Sequence, residues 1–131
     1  MGLTVEDQLA IQQLAARYNH AIDSGDAVAY ANTFVDDGVL DAGELVLEGR
    51  SALEQFASTF PTSVRSPRHV ATSLIIEGNG SEAAVRAYVQ MYALVGDPPR
   101  HEVTASGTYA DALVKDEGAW RFVRRTFIKD T

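Results

Sequence analysis

The feature that most constrains the fold is a pair of long strand-like segments in the second half of the chain, at residues 82–95 and 101–114. Flat strands of about 13 residues would each span roughly 40 Å, at about 3.3 Å per residue. That length is too great for a domain of 131 residues. The sheet should therefore twist and coil around other elements.

The start of the chain predicts the helix around which the sheet would wrap. Thr4 followed by Asp7 resembles a capping box, with Asp in place of the usual Glu. Ser24-Gly25-Asp26 would end the helix, with Gly25 suited to the left-handed terminal position. Between these signals, apolar residues recur with a helical period at Ile11, Leu14, Ala15, Tyr18 and Ile22.

The remaining segments complete an α+β pattern. Shorter helices are predicted at residues 27–34 and about 51–60, and short strands at 39–41 and 45–48. Four strands should follow as an antiparallel meander, at residues 69–77, 82–95, 101–114 and 119–129, with Asn79-Gly80 typical of a hairpin. The sequence predicts one domain over residues 1–131, in which a curved antiparallel or mixed sheet forms a cone around the N-terminal helices. The open end of such a cone would form an apolar pocket.

Composition and charge exclude several classes of function. The net charge of −7 disfavours nucleic acid as a partner, because phosphates would be repelled. The absence of cysteine excludes disulfides, thiolate chemistry and cysteine-ligated metals. The first residues do not resemble a signal peptide, and no apolar run approaches the roughly 20 residues of a membrane-spanning helix. We therefore expect a cytoplasmic protein that binds neither nucleic acid nor membranes.

Several short motifs follow one another in an order that is typical of one fold family. They are Ile11-Gln-Gln-Leu-Ala-Ala-Arg-Tyr18, Asp23-Ser-Gly-Asp26, Phe34-Val-Asp-Asp37, Leu47-Glu-Gly-Arg50, Arg68-His69-Val70, Gly107-Thr-Tyr109 and Gly118-Ala-Trp120-Arg-Phe122. Together they resemble the SnoaL-like branch of the nuclear transport factor 2-like superfamily. Relatives of this type include scytalone dehydratase, bile acid 7α-dehydratase, hexachlorocyclohexane dehydrochlorinase, ketosteroid isomerase and polyketide cyclases, and also proteins that only bind or assemble.

The resemblance implies the positions of a catalytic site. In the dehydratase and dehydrochlorinase relatives, a His that opens the third strand pairs with an Asp just after the first helix, and His69 and Asp23 occupy the matching positions. Tyr18 matches a helix-end Tyr of the bile acid dehydratase site. A basic residue near the end of the last strand of that enzyme would fall at about Lys129. The carboxylate arrangement of ketosteroid isomerase is not clearly reproduced.

A His–Asp pair of this kind would act as a general base. Imidazole titrates near neutrality, and a carboxylate on one ring nitrogen fixes its tautomer and stabilises the imidazolium. No Ser or Cys nucleophile has an evident place, so the pair suits proton abstraction followed by loss of water or migration of a double bond. Tyr18 could donate a hydrogen bond to the oxygen that becomes negative. We expect a cofactor-independent dehydratase or isomerase that acts on a small hydrophobic ring compound, such as a polyketide-like or steroid-like molecule.

The same residues have plainer interpretations. His69 could cap a loop, Asp23 could end the helix, and Tyr18 could be a core residue whose hydroxyl is satisfied locally. The protein would then be a non-catalytic domain of the same fold that binds small molecules or takes part in assembly. The alternatives differ in whether the Asp23 and His69 side chains meet and face a cavity.

Weaker binding candidates lie in the second half of the chain. His101 could be a second pocket imidazole, although its place after Pro98-Pro99 fits a surface position better. Arg86 could bind an anionic substrate group if its face of the strand lines the cone. The three His residues lack metal-binding spacing, so no metal is expected.

Alternation along the strands predicts which residues face inward. Trp120 and Phe122 are expected in the core, and Arg121, Arg124 and Arg125 at solvated or interface positions. An apolar outer sheet face is suggested by Val85, Ala87, Val89, Met91 and Val103. Because helices would cover only one side of the sheet, this face predicts a homodimer.

Overall fold

Helices and strands follow the predicted α+β order in the computed structural model, which describes residues 2–131. The helices are α1 (Val5–Ser24), α2 (Ala27–Ala31) and α3 (Arg50–Ser63). The strands are β1 (Phe34–Asp41), β2 (Val46–Glu48), β3 (Arg68–Gly78), β4 (Glu82–Val95), β5 (Arg100–Asp116) and β6 (Ala119–Lys129). No helix within residues 2–131 combines the length and the hydrophobicity needed to cross a membrane.

The six strands form one curved, mixed sheet in the order β2-β1-β6-β5-β4-β3. β3 to β6 form the predicted antiparallel meander. β1 joins the far side of β6 in parallel, and β2 pairs with β1 as an antiparallel edge strand. The N-terminal helices pack on the concave side of this open sheet. The predicted fold class is therefore confirmed.

α1 begins and ends at the predicted signals. The N–H of Asp7 donates to the Thr4 side chain at 3.0 Å, and the N–H of Thr4 donates to the Asp7 carboxylate at 3.2 Å. Gly25 ends the helix with a φ of 73°, a conformation that glycine adopts without strain. The Asp7 carboxylate also accepts hydrogen bonds from Trp120 at 3.0 Å and Lys115 at 3.1 Å. The capping residue thus ties the start of α1 to the β5–β6 hairpin.

Two predicted boundaries are wrong. α2 ends at Ala31 because Phe34 already belongs to β1, where it pairs with Phe122 of β6. The first strand, predicted to begin at residue 39, begins at Phe34, and residues 36–38 form an irregularity within it, since the register with β6 shifts between Phe34 and Val39. Tertiary pairing therefore extends the strand through a stretch with strong turn signals.

The core lies between α1 and the concave face of the sheet. On β4 the inward face consists of small and branched apolar side chains, Ala83, Val85, Ala87 and Val89, all buried. The prediction that this row forms an outer face is wrong, because alternation identifies two faces without identifying which one is covered. The true outer face carries Arg86 and Tyr88, and Tyr88 is 62% exposed. The homodimer stays a prediction, and of the residues first named for the outer face only Val103, 48% exposed, lies on it.

The alternation of inward and outward side chains changes partway along β6. Trp120 and Phe122 are buried in the core, as predicted. Arg125 is only 1% exposed, so the prediction of a solvated or interface position is wrong for it. Leu113 pairs with Phe122 whereas Ala112 pairs with Arg124, so one residue of β6 is bulged out. A bulge of one residue reverses the alternation beyond it, which turns Arg125 inward.

Candidate active site

Asp23 and His69 meet at the end of α1. One carboxylate oxygen of Asp23, Oδ1, lies 2.6 Å from Nδ1 of the His69 ring. The other, Oδ2, accepts a hydrogen bond from the backbone N–H of His69 at 2.9 Å. The Asp23 and His69 side chains are 12% and 13% exposed. The carboxylate therefore holds both the ring and the backbone of the histidine, and it leaves Nε2 as the nitrogen available to a substrate.

A negatively charged side chain is electrostatically unfavourable at the position that Asp23 occupies in α1. Asp23 lies in the last turn of α1, where the partial negative charge of the helix end repels a carboxylate. The two hydrogen bonds from His69, the second residue of β3, offset that repulsion. The pairing with His69 thus stabilises a partly buried carboxylate at a helix end that would otherwise repel it.

An apolar cavity of about 160 Å³ lies beside the imidazole, inside the cone. Three of its wall residues, His69, Tyr18 and Tyr109, carry polar side-chain atoms. The other wall residues are apolar: Ile22, Leu40, Ala42, Phe56, Phe60, Val89, Met91, Ala105 and Phe127. A space with a few convergent polar groups in an apolar wall is typical of a small-molecule site.

A wider, more polar groove of about 980 Å³ lies on the other side of the pair, between α1 and β3. Its wall includes Asp23, His20, Asn19 and Arg68. His69 contributes to both spaces. The imidazole thus forms part of the partition between an apolar interior and a polar exterior groove.

The sequence left two positions open for Tyr18, in the core or at the site, and the side chain occupies both. It is buried against the core, and its hydroxyl lies 3.0 Å from that of Tyr30. It also lines the apolar cavity. Since the Tyr30 hydroxyl donates to the Tyr18 oxygen, the Tyr18 O–H is left to donate either to Tyr109 or into the cavity that both tyrosines line. Burial raises the pKa of Tyr18 well above its ordinary value, so the side chain remains a neutral donor.

A buried ion pair behind the tyrosines was missed by the sequence reasoning. Arg125 faces Asp111 directly across β5 and β6, with Nε 3.1 Å from Oδ1, and both side chains are 1% exposed. The Arg125 guanidinium lies 3.4 Å from the centre of the Tyr109 ring and 4.3 Å from that of Tyr18. This stack supports from behind two of the rings that line the cavity.

One signal for this pair was present in the sequence. Tyr109, Asp111 and Leu113 alternate on one face of β5, so an inward Tyr and Leu imply an inward Asp. A buried carboxylate calls for a cationic partner. Burial raises the pKa of Asp111 to about 6 from an ordinary 3.8, against the attraction of Arg125 that favours the charged form.

The weaker binding candidates lie away from the cavity. Arg86 is on the outer face of β4, where its side chain is 69% exposed and 3.9 Å from Glu77. The face of β4 that lines the cone is therefore not the one that carries Arg86. His101 and Lys129 are exposed on β5 and β6. None of these three lines the cavity or the groove. Within residues 2–131, no group of side chains is arranged to hold a metal ion.

The chain is similar to known domains over almost its whole length. A sequence profile of the SnoaL-like domain matches residues 3–126. A protein of unknown function from Mycobacterium tuberculosis has 31% sequence identity and a TM-score of 0.88, over 95% of this chain and 72% of that chain. A cystatin-like-fold protein of unknown function from Nostoc punctiforme has 30% identity and a TM-score of 0.88, over 99% of this chain and 96% of that chain.

A third similar structure carries the name of an activity. It is a candidate scytalone dehydratase from Novosphingobium aromaticivorans, with 24% identity and a TM-score of 0.82, over 97% of this chain and 86% of that chain. At that identity the likeness shows the fold alone. No curated protein sequence matches this chain.

Proposed function

Because this chain belongs to the SnoaL-like domain family, we propose that it is a cofactor-independent acid–base enzyme, a dehydratase or isomerase of a small hydrophobic ring compound. One observation carries the proposal. Asp23 and His69 form a 2.6 Å pair, and the imidazole of that pair lines an apolar cavity. An oriented base beside a space for a hydrophobic molecule is what proton abstraction from carbon requires.

His69 acts as the base through Nε2, since Asp23 holds Nδ1. The substrate loses a proton from a carbon beside a carbonyl group. As the C–H bond breaks, its electron pair forms a C=C bond and the carbonyl oxygen becomes negative. The Asp23 carboxylate stabilises the imidazolium that forms, and it keeps the ring aimed at the cavity.

Tyr18 stabilises the developing negative charge. Its hydroxyl accepts the hydrogen bond of Tyr30 and can therefore direct its own proton into the cavity. The Arg125 guanidinium stacked behind the ring favours a more polarised O–H. A hydrogen-bond donor that is already in position needs little reorganisation when negative charge develops on the substrate. Removal of such a donor lowers kcat about 10²–10³-fold.

The fate of the proton decides the reaction. If the His69 imidazolium gives it to a hydroxyl group on the next carbon, that C–O bond breaks, the electron pair reforms the carbonyl with a new C=C bond, and water leaves. If it gives the proton to a more distant carbon of the enolate, the double bond migrates. Both reactions begin with the same abstraction, so one site supports either.

A spectroscopic screen tests the proposal. Cyclic β-hydroxy ketones report dehydration and cyclic β,γ-enones report isomerisation, because both yield a conjugated enone that absorbs in the ultraviolet. We expect turnover by the wild type and its loss in His69→Ala and Asp23→Asn. His101→Ala, at an exposed imidazole outside the cavity, is the matched control and should keep wild-type rates.

The screen also separates the enzyme from a binding domain. Wild-type rates in both site variants would rule out the acid–base role of the pair. Binding of these compounds by the wild type without turnover of any of them would favour the non-catalytic alternative of the same fold.

A further inference from the structure

The size of the cavity limits what can bind beside His69. A cavity of about 150 Å³ with apolar walls holds one benzene molecule. The cavity of this protein has nearly that volume, about 160 Å³. One six-membered ring therefore fills the space beside His69, and a second fused ring must either extend through the opening or take the place of a wall side chain.

The charge of the wall limits the ligand further. His69 is already paired with the Asp23 carboxylate, and Tyr18 and Tyr109 stay neutral because burial raises their pKa well above the ordinary value. Arg125 lies behind the tyrosine rings and is paired with Asp111. A charged ligand would lose its hydration without gaining a free counter-charge, which is costly.

Phe60 forms the part of the cavity wall next to the imidazole. Its ring centre lies 5.5 Å from that of His69 and 5.6 Å from that of Phe56. The helix that carries it is anchored by Leu53 and Ala57, which are completely buried. Because α3 is held in this way, the ring of Phe60 is positioned beside the imidazole.

Building on the proposed function, we propose that the site takes uncharged, single-ring, oxygen-bearing substrates and that Phe60 sets the upper limit of their size. Truncation of Phe60 removes one six-membered ring from the wall, which is the space that a second fused ring of a ligand needs. The residue is thus a specificity determinant, and it takes no part in proton transfer.

Calorimetric titration with simple probes tests the proposal. The wild type should bind phenol at least about tenfold more tightly than 1-naphthol, and benzamide at least about tenfold more tightly than benzoate, in line with usual pocket discrimination. Phe60→Ala should lose or reverse the preference for phenol over 1-naphthol and keep the preference for benzamide over benzoate. Ser58→Ala, on the exposed side of the same helix, should behave as the wild type.

Several outcomes would overturn the proposal. In the wild type, these are failure to bind phenol, equal affinity for phenol and 1-naphthol, and equal affinity for benzoate and benzamide. In a folded Phe60→Ala protein, the contradicting result is an unchanged ring-size preference. If Phe60→Ala does not fold, the milder Phe60→Leu replaces it and should show a smaller shift in the same direction.

The two proposals fail in different experiments. The ring-size preference should persist in Asp23→Asn, because that change leaves every wall residue of the cavity in place. Selective binding of phenol by a protein that turns over no substrate would refute the proposed function and leave the size limit intact. Turnover of a fused-ring substrate by the wild type would do the reverse.

Discussion

Asp23 binds His69 twice, through the backbone N–H at 2.9 Å and through ring Nδ1 at 2.6 Å. The same carboxylate therefore joins the end of α1 to the start of β3 and orients the imidazole. Asp23 should therefore contribute both to stability and to catalysis. A variant that keeps a hydrogen-bond acceptor and one that removes both should separate the two contributions.

Asp23→Asn should lower turnover far more than stability. The amide oxygen can still accept from the backbone N–H of His69, but it supplies no charge to the imidazolium, and a comparable change in a hydrolase lowers the rate about 10⁴-fold. Asp23→Ala should lose both hydrogen bonds and cost about 1–3 kcal/mol of unfolding free energy. Turnover assays and urea titrations measure the two effects. Equal destabilisation by Asn and Ala would contradict this separation.

Tyr18→Phe and Tyr30→Phe should have similar effects on stability and different effects on rate. Each variant removes the one hydrogen bond that the two hydroxyls share, which is worth about 1 kcal/mol. Tyr18 lines the cavity and Tyr30 does not, so Tyr18→Phe should lower kcat by about 10²–10³ and Tyr30→Phe, which only orients Tyr18, much less. Equal rates in the two variants would show that Tyr18 is a core residue without a role in the reaction.

Arg125→Met should destabilise the fold by about 3–5 kcal/mol, because it leaves the Asp111 carboxylate buried without a partner. Replacing both residues, as Arg125→Met with Asp111→Leu, should recover much of that loss. Arg86→Met, at an exposed pair 3.9 Å apart, should change stability by no more than about 1 kcal/mol. Chemical denaturation provides the values. A double variant no more stable than Arg125→Met would show that the pair stabilises the core beyond its charge balance.

Acid should unfold Asp7→Asn less steeply than the wild type. Hydrogen bonds from Trp120, Thr4 and Lys115 lower the pKa of Asp7 below its ordinary value of 3.8. A depressed folded pKa gives stability that is present above 3.8 and is lost as the pH falls below it. The melting temperature should therefore fall more between pH 5 and pH 2 in the wild type, as circular dichroism would record. Asp36→Asn, at an exposed carboxylate, is the control and should keep the wild-type slope.

The predicted homodimer now depends on the outer face of the sheet. Large apolar side chains are exposed there at Ile75, Tyr88, Val103 and Ile128. Exposed apolar area of this kind favours association. We expect a dimer by sedimentation at micromolar concentration and a monomer for Tyr88→Glu, with Glu6→Gln, at an exposed position of α1 away from the sheet face, as the control. A wild-type monomer at that concentration would refute the prediction.

Much of the fold followed from local patterns. The capping box at Thr4 and Asp7, the left-handed Gly25 and the Asn79-Gly80 hairpin are each specified by a few neighbouring residues, and all were predicted. The length of β4 and β5 required a curved sheet, which was also confirmed. Such features depend on short-range geometry, so the sequence carries them in readable form.

The candidate site was predicted in part. The family resemblance placed Asp23 and His69 in one site, and the fold brings them to hydrogen-bond distance. Their catalytic roles stay predictions. The resemblance also pointed to Lys129, which lies exposed near the end of β6, whereas the buried cation behind the tyrosines is Arg125.

The sequence by itself determined the elements, their order and, where a strand has no bulge, which of its residues share a face. Only the tertiary structure decided which face is inward and where the alternation changes phase. The bulge in β6 is the clearest case, because one unpaired residue turns Arg125 into the core and leaves Arg124 outside. Strand pairing sets that register between segments far apart in the chain, and no local pattern encodes it.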